Sequence, residues 1–192
     1  LSNWLFFDLL REAGLPPGVI NFIPGPAADI SDAVLSDPNL AGIHFTGSTP
    51  VFQTLWRTVG ENLPRYRSYP RLVGERGGKD FVVAHPSADV EALAVALVRG
   101  AYEYQGQKCS AASRAYIPKS IWPAVRDRMT AMIGTIRMGD VADFRNFMGA
   151  VIDAKAFGKI REYLEAAKRD AGVTVIAGGN ANDAEGYFVE PT

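Results

Sequence analysis

Cys109 is the only cysteine among the 192 residues, and it lies in the stretch Tyr104-Gln105-Gly106-Gln107-Lys108-Cys109-Ser110-Ala111-Ala112-Ser113-Arg114. A free cysteine is either a small packed hydrophobe or a nucleophile, and its reactivity decides which. The packed hydrophobe is the commoner case, and the neighbours raise the weight of the nucleophile. Gly106 and the small residues at 110–112 let backbone approach a ligand closely, and Lys108 beside the sulfur favours thiolate. A helical pattern ends near Glu103 and a strand-like run, Ala115-Tyr116-Ile117, follows. Cys109 therefore falls on a loop at the edge of a scaffold, where catalytic groups concentrate. Thirty-four residues upstream lies Val73-Gly74-Glu75-Arg76-Gly77-Gly78-Lys79-Asp80-Phe81. Taken alone, a glutamate before a double glycine reads as a turn carrying a solvated charge.

A third feature is Phe45-Thr46-Gly47-Ser48-Thr49. A glycine-serine pair between a strand and a helix presents backbone N–H groups and a hydroxyl to an anion at the helix N-terminus. An ordinary capped turn has the same residues. No Gly-x-Gly-x-x-Gly fingerprint accompanies it, so the motif does not support classical dinucleotide-fold geometry. His44 lies in an apolar run and His85 before a proline, and neither belongs to a cysteine-hydrolase signature, so both read as structural.

The elements that must position these residues follow from periodicity. Leu1, Trp4, Leu5, Leu9 and Leu10 sit near helical spacing, and Gly14 with Pro16-Pro17-Gly18 ends that helix. Val19 to Ile23 reads as a strand ended by Pro24-Gly25-Pro26, Ile30 to Leu35 as a helix, and Leu40 to Phe45 as a second strand. Pro50 suits the first turn of a helix running to about Asn62, with Ser48 or Thr49 as its cap. That order, αβαβα, implies the α/β class with a parallel sheet covered by helices. Near Gly77 the chain passes into a second domain, which divides it into 1–76 and 77–192. There the pattern predicts a strand over 79–84 and a helix from a Ser87 cap to Glu103. The Cys109 loop and the 115–117 strand come next, then a helix led by Pro118-Lys119-Ser120 and running to about Thr135, and another over 153–169. Strands at 173–177 and 187–189 complete the reading.

Composition sets limits. Hydrophobic residues make up 47% of the chain and the formal net charge is −1, an ordinary globular profile. Near-neutral charge without basic runs gives no support for a nucleic-acid partner. One cysteine forms no internal disulfide and suggests a reducing compartment. With only two histidines beside it, a zinc site is not expected. No apolar run approaches the ~20 residues of a membrane span. The chain opens in mid-helix and stops just after a strand, so it is expected to be an internal piece of a longer protein.

Together the segments resemble the aldehyde dehydrogenase superfamily, in which Glu-x-Gly-Gly-Lys supplies a general base and Gly-Gln-x-Cys the nucleophile. Finer features are similar to the branch acting on L-glutamate γ-semialdehyde. They include Tyr-Pro-Arg-Leu-Val-Gly-Glu, Gly-Gly-Lys-Asp-Phe, Tyr-Gln-Gly-Gln-Lys-Cys-Ser-Ala and Ala-Val-Ile-Asp-Ala-Lys, whereas the terminal Gly186-Tyr187-Phe188-Val189-Glu190-Pro191-Thr192 resembles a later strand of the superfamily as a whole. The resemblance implies an aldehyde-dehydrogenase-like fold, with 1–76 part of a Rossmann-like NAD-binding domain and 77–192 part of an α/β catalytic domain. It makes Cys109 the nucleophile, Glu75 the base that activates water, and Ser110 a contact for the substrate's α-carboxylate. A plain need for a small residue beside the nucleophile is the other reading of Ser110. Gly47, Ser48 and Pro24 are implied on the NAD side, although Phe52 stands where many members carry a second glycine. Lys79 reads as a strand-end structural residue.

The implied activity is NAD-dependent oxidation of the semialdehyde, formed from 1-pyrroline-5-carboxylate, to L-glutamate in proline catabolism. The alternatives are a different aldehyde substrate or an inactive piece. The implied partners are a small-molecule aldehyde and further copies of the parent chain. The implied compartment is the bacterial cytoplasm or the mitochondrial matrix. A ribose-gripping lysine and glutamate and an oxyanion-binding asparagine are expected before Leu1. The 192 residues alone are therefore expected to be inactive.

Overall fold

In the computed structural model, which describes all 192 residues, the chain divides into two units, Leu1–Arg76 and Gly77–Thr192. The first contains α1 (Ser2–Glu12), α2 (Ala27–Ser36), β1 (Gly42–Gly47), α3 (Thr49–Asn62) and β2 (Arg71–Arg76). Strands β1 and β2 run parallel, in register from Gly42↔Arg71 to Gly47↔Arg76. Parallel neighbours need a crossover, and α3 supplies it. Side chains alternate across a strand, and Ile43, Phe45 and Leu72 pack against the buried Leu35, Leu40, Leu55 and Val59. The Leu35 carbonyl, left without a partner near the end of α2, accepts from Tyr66 Oη at 2.6 Å and Asn62 Nδ2 at 3.2 Å.

The expected strand over 19–23 does not form. After Gly18, at φ 86°, those residues run as turns and irregular backbone. Apolar content alone does not make a strand: its N–H and C=O groups need a partner, and β1 is paired with β2 alone. Up to Asn62 the order is therefore ααβα.

The second unit contains β3 (Phe81–Val83), α4 (Val90–Tyr102), β4 (Arg114–Tyr116), α5 (Trp122–Ile133), α6 (Ala154–Arg169), β5 (Ala181–Asn182) and β6 (Phe188–Val189). Strands β3 and β4 are parallel with α4 as crossover, whereas β5 and β6 are antiparallel. Helices α4 and α5 pack together, with Ala94, Leu97, Val98, Val125 and Ile133 buried. Arg128 also grips Glu91 with two nitrogens, each at 2.5 Å.

Two expectations are corrected here. Ser87 does not cap α4: its hydroxyl lies 2.9 Å from His85 Nδ1, to which its N–H also donates at 3.3 Å. Asp89 takes the role instead, accepting from the Ala92 N–H at 2.7 Å. Residues 173–177 are not a strand, because no neighbouring segment forms a ladder with them. The helix led by Pro118-Lys119-Ser120 begins at Trp122, with Pro123 in its first turn, where a missing N–H costs nothing. Asp153 caps α6 through the Ala156 N–H at 2.7 Å. No helix is long and apolar enough to cross a membrane.

Phe52 packs closely against Gly74 in the first unit. The buried Phe52 ring stacks on Phe45 at 6.0 Å and meets Trp56 edge-on at 5.7 Å. A Cβ at Gly74 would stand 2.5 Å from that ring. Gly74→Ala in the intact protein is expected to cost about 1–3 kcal/mol by overpacking, with partial recovery when Phe52→Leu is added. Denaturant unfolding of the single and double variants checks this, and equal stability of Gly74→Ala and wild type would remove the contact from the account.

Candidate active site

Two sets of residues singled out in the sequence lie on the two units. On the first, Thr46 is the register partner of Glu75 and Gly47 that of Arg76. The Gly47-Ser48 turn and Glu75 thus share the carboxyl edge of the parallel pair, the edge at which open α/β sheets bind ligands. Glu75 is exposed. Ser48 is the N-cap residue of α3, yet its side chain makes no capping hydrogen bond and the first turn carries no acidic residue. The hydroxyl and the dipole end of α3 are thus available to an anion. Phe52, one turn into α3, lies against Gly74 and Phe45 rather than over the helix N-terminus, and the Arg76 guanidinium rests 5.2 Å from its ring centroid. Pro24 lies in the irregular segment before α2, whose N-cap residue is Pro26.

On the second unit, Cys109 and Ser110 form an exposed turn between α4 and β4. Two runs of left-handed backbone support it. Gly77, Gly78 and Lys79 have φ of 74°, 98° and 69°; Tyr104, Gln105 and Gly106 have 55°, 58° and 65°. Such angles disfavour side chains, so Lys79, Tyr104 and Gln105 are held there by their surroundings. A Cβ at Gly78 would collide with the Cα, C and O atoms of Cys109. The glycine is required because the two backbones touch. Next to it, the Lys79 N–H donates to the Cys109 carbonyl. Lys79 Nζ donates to the Gly106 carbonyl and, at 3.2 Å, to the Lys108 carbonyl. Lys79 is in turn anchored by Ser113, whose Oγ donates to its carbonyl at 3.2 Å. Gln107 fastens the other side, accepting from the Ile152 N–H at 3.0 Å and donating to the Tyr104 carbonyl at 3.3 Å.

The structure alters two readings of this loop. Lys108 has other partners: its ammonium pairs with Glu103 at 2.8 Å and lies 5.7 Å from the Tyr104 ring centroid. That hydrogen bond, with the charge of Arg99, holds the Glu103 carboxyl below the usual carboxylate range. The small residues after Cys109 serve packing. Ala111 is buried, and the Ala112 N–H donates to the Gly100 carbonyl at 2.9 Å, closing the loop on α4. Lys79 is the residue that sequence reasoning undervalued. Its place after two glycines was legible, but its three carbonyl partners lie roughly thirty residues away and only folding brings them in.

The aldehyde dehydrogenase family model matches residues 1–192. The chain belongs to the aldehyde dehydrogenase family. Among relatives in this family, the bovine mitochondrial delta-1-pyrroline-5-carboxylate dehydrogenase is 49% identical over 192 residues, covering 100% of this chain and 34% of that protein. The Mycobacterium tuberculosis delta-pyrroline-5-carboxylate dehydrogenase, in a crystal structure bound with NAD, is 55% identical with a TM-score of 0.96, covering 99% of this chain and 36% of that one. The Thermus 1-pyrroline-5-carboxylate dehydrogenase with bound NAD is 33% identical with a TM-score of 0.87, covering 96% and 35%. The chain thus spans about a third of the length of these aldehyde dehydrogenases.

The contact between Gly78 and Cys109 is testable without any substrate. Gly78→Ala is expected to slow alkylation of Cys109 by iodoacetamide about 10-fold or more, because small misplacements of a reacting atom are costly. Gly77→Ala is the control: it has a similar positive φ, but its Cβ would meet nothing within 4 Å. Peptide mass spectrometry of the alkylated intact protein reads both rates. Equal slowing would assign the effect to backbone strain alone.

Proposed function

We propose that the intact protein carrying this chain is an NAD-dependent dehydrogenase that oxidises L-glutamate γ-semialdehyde, formed from 1-pyrroline-5-carboxylate, to L-glutamate in proline catabolism. The observation that carries the reading is the exposed Cys109 turn, clamped by the Gly78–Lys79 backbone, in a chain about half identical to delta-pyrroline-5-carboxylate dehydrogenases along its whole length.

Cys109 as thiolate attacks the aldehyde carbon, and the bond formed makes a thiohemiacetal. Its carbonyl is engaged by Lys79, and its own N–H makes no hydrogen bond within the unit, which supports a role in meeting the oxyanion. NAD, when bound, supplies the hydride acceptor that turns this adduct into a thioester. Glu75 accepts a proton from the water that cleaves the thioester and returns the thiol. Ser110, exposed beside the nucleophile, donates its hydroxyl to the substrate's α-carboxylate. Gly47 and Ser48 hold the cofactor's phosphates at the N-terminus of α3, where a free hydroxyl and the absence of an acidic first turn fit an anion. Pro24 belongs to the same cofactor side. In this reading residues 1–76 are part of the NAD-binding domain and 77–192 part of the catalytic domain. The parent assembles as a homo-oligomer in the bacterial cytoplasm or the mitochondrial matrix.

NADH production by the intact protein with glutamate semialdehyde and with a simple aliphatic aldehyde tests the substrate. Preference for the semialdehyde, lost in Cys109→Ser while NAD titration is unchanged, is the expected result. Comparable rates with both aldehydes would favour another substrate, and substantial turnover by Cys109→Ser would remove the cysteine from the mechanism. Glu75→Gln is expected to slow thioester hydrolysis more than the oxidation step, by roughly 100-fold, the scale of a lost general base. Rapid mixing should then show a burst of NADH followed by slow turnover. Unchanged deacylation would make Glu75 structural.

A further inference from the structure

We propose that Lys79 is a positioning residue for the nucleophile, fixing the pose of the Cys109 turn by holding three of its carbonyl oxygens. This rests on the reading of Cys109 as the nucleophile and adds a residue to its machinery. A lysine ammonium has three donors and no acceptor. Here one bond runs to the Gly106 carbonyl and one, at 3.2 Å, to that of Lys108, while the Lys79 main-chain N–H takes the carbonyl of Cys109. The three acceptors fall within four consecutive residues ending at the nucleophile. That segment is not a regular element: it follows two non-glycine residues at φ 55° and 58° and cannot satisfy its own carbonyls through a ladder.

The geometry separates Lys79 from the other cation of the loop. Lys108 is paired with Glu103, whereas Lys79 has no carboxylate within salt-bridge distance. Its charge is therefore directed at carbonyl oxygens, and charge-assisted bonds of this kind are stronger than neutral ones. The left-handed φ of 69° at Lys79 accompanies a residue whose N–H, carbonyl and ammonium are all engaged, the carbonyl by Ser113. A spacer at a strand end would need none of these bonds.

The experiment compares Lys79→Met with Lys79→Arg in the intact protein. Lys79→Met keeps a long side chain without donors, and Lys79→Arg keeps the charge and the N–H groups. The readouts are the iodoacetamide alkylation rate of Cys109, kcat and KM for aldehyde oxidation, and NAD affinity. Lys79→Met is expected to slow alkylation and lower kcat by about 10- to 100-fold, with NAD affinity and melting temperature near wild type. Lys79→Arg is expected to recover most of both rates. Alkylation and kcat unchanged in Lys79→Met overturns the proposal. So does equal impairment of the Met and Arg variants together with a lowered melting temperature, which marks a merely structural residue. Should Lys79→Met be insoluble, Lys79→Leu replaces it with the same comparison, since it too lacks a donor. Alkylation needs no aldehyde, so a wild type inactive on glutamate semialdehyde would defeat the substrate assignment while leaving this comparison intact.

Discussion

The Cys109 turn depends on one close approach of backbone to backbone. Gly78 lies against the main chain of Cys109 at a separation that no Cβ permits, and this brings the Lys79 N–H onto the Cys109 carbonyl. With that carbonyl engaged and the Gly106 and Lys108 carbonyls held by the same lysine, the exposed turn has few ways to move. In the proposed role Cys109 needs a defined pose more than it needs burial. The side chains of Cys109 and Ser110 can stay open to an incoming molecule because the constraint acts on the backbone beneath them.

The first unit uses the same device for another purpose. Gly74 lacks a side chain where the Phe52 ring settles on the sheet. That ring draws α3 onto β1 and β2 and joins Phe45, Trp56 and the Arg76 guanidinium into one packed group. Phe52 thus contributes to the core instead of covering the start of α3. The Ser48 hydroxyl and the dipole of α3 remain free at the carboxyl edge that also carries Glu75. In both units a glycine leaves the space into which another element fits.

Charges near Cys109 are partitioned. Arg99 and Lys108 converge on Glu103, so much of the cationic character that follows from listing residues is neutralised before it reaches the turn. Such exposed pairs contribute little to stability. Their effect is to orient: Lys108 is drawn back toward the end of α4, and Lys79 is left as the cation that faces the loop's carbonyls.

Much was already determined by the sequence. The helices at 2–12, 27–36, 49–62, 90–102 and 154–169 follow from apolar spacing and local stop signals, which act over a few residues and need no distant partner. The parallel arrangement follows from strands separated by helices, and the family from motifs at Glu75, Gly78, Lys79 and Cys109. The apolar runs at 19–23 and 173–177 misled because a strand is a relationship between segments, and hydrophobicity does not say whether a partner is present. Ser87 misled because His85 competes for its hydroxyl. What only tertiary structure decided is the use of each motif: that Gly78 is glycine because of Cys109, that Lys108 answers to Glu103, and that Lys79 holds carbonyls some thirty residues away. Local propensity is encoded within a turn of the chain, whereas the reason for a missing Cβ or the partner of an ammonium lies across the fold.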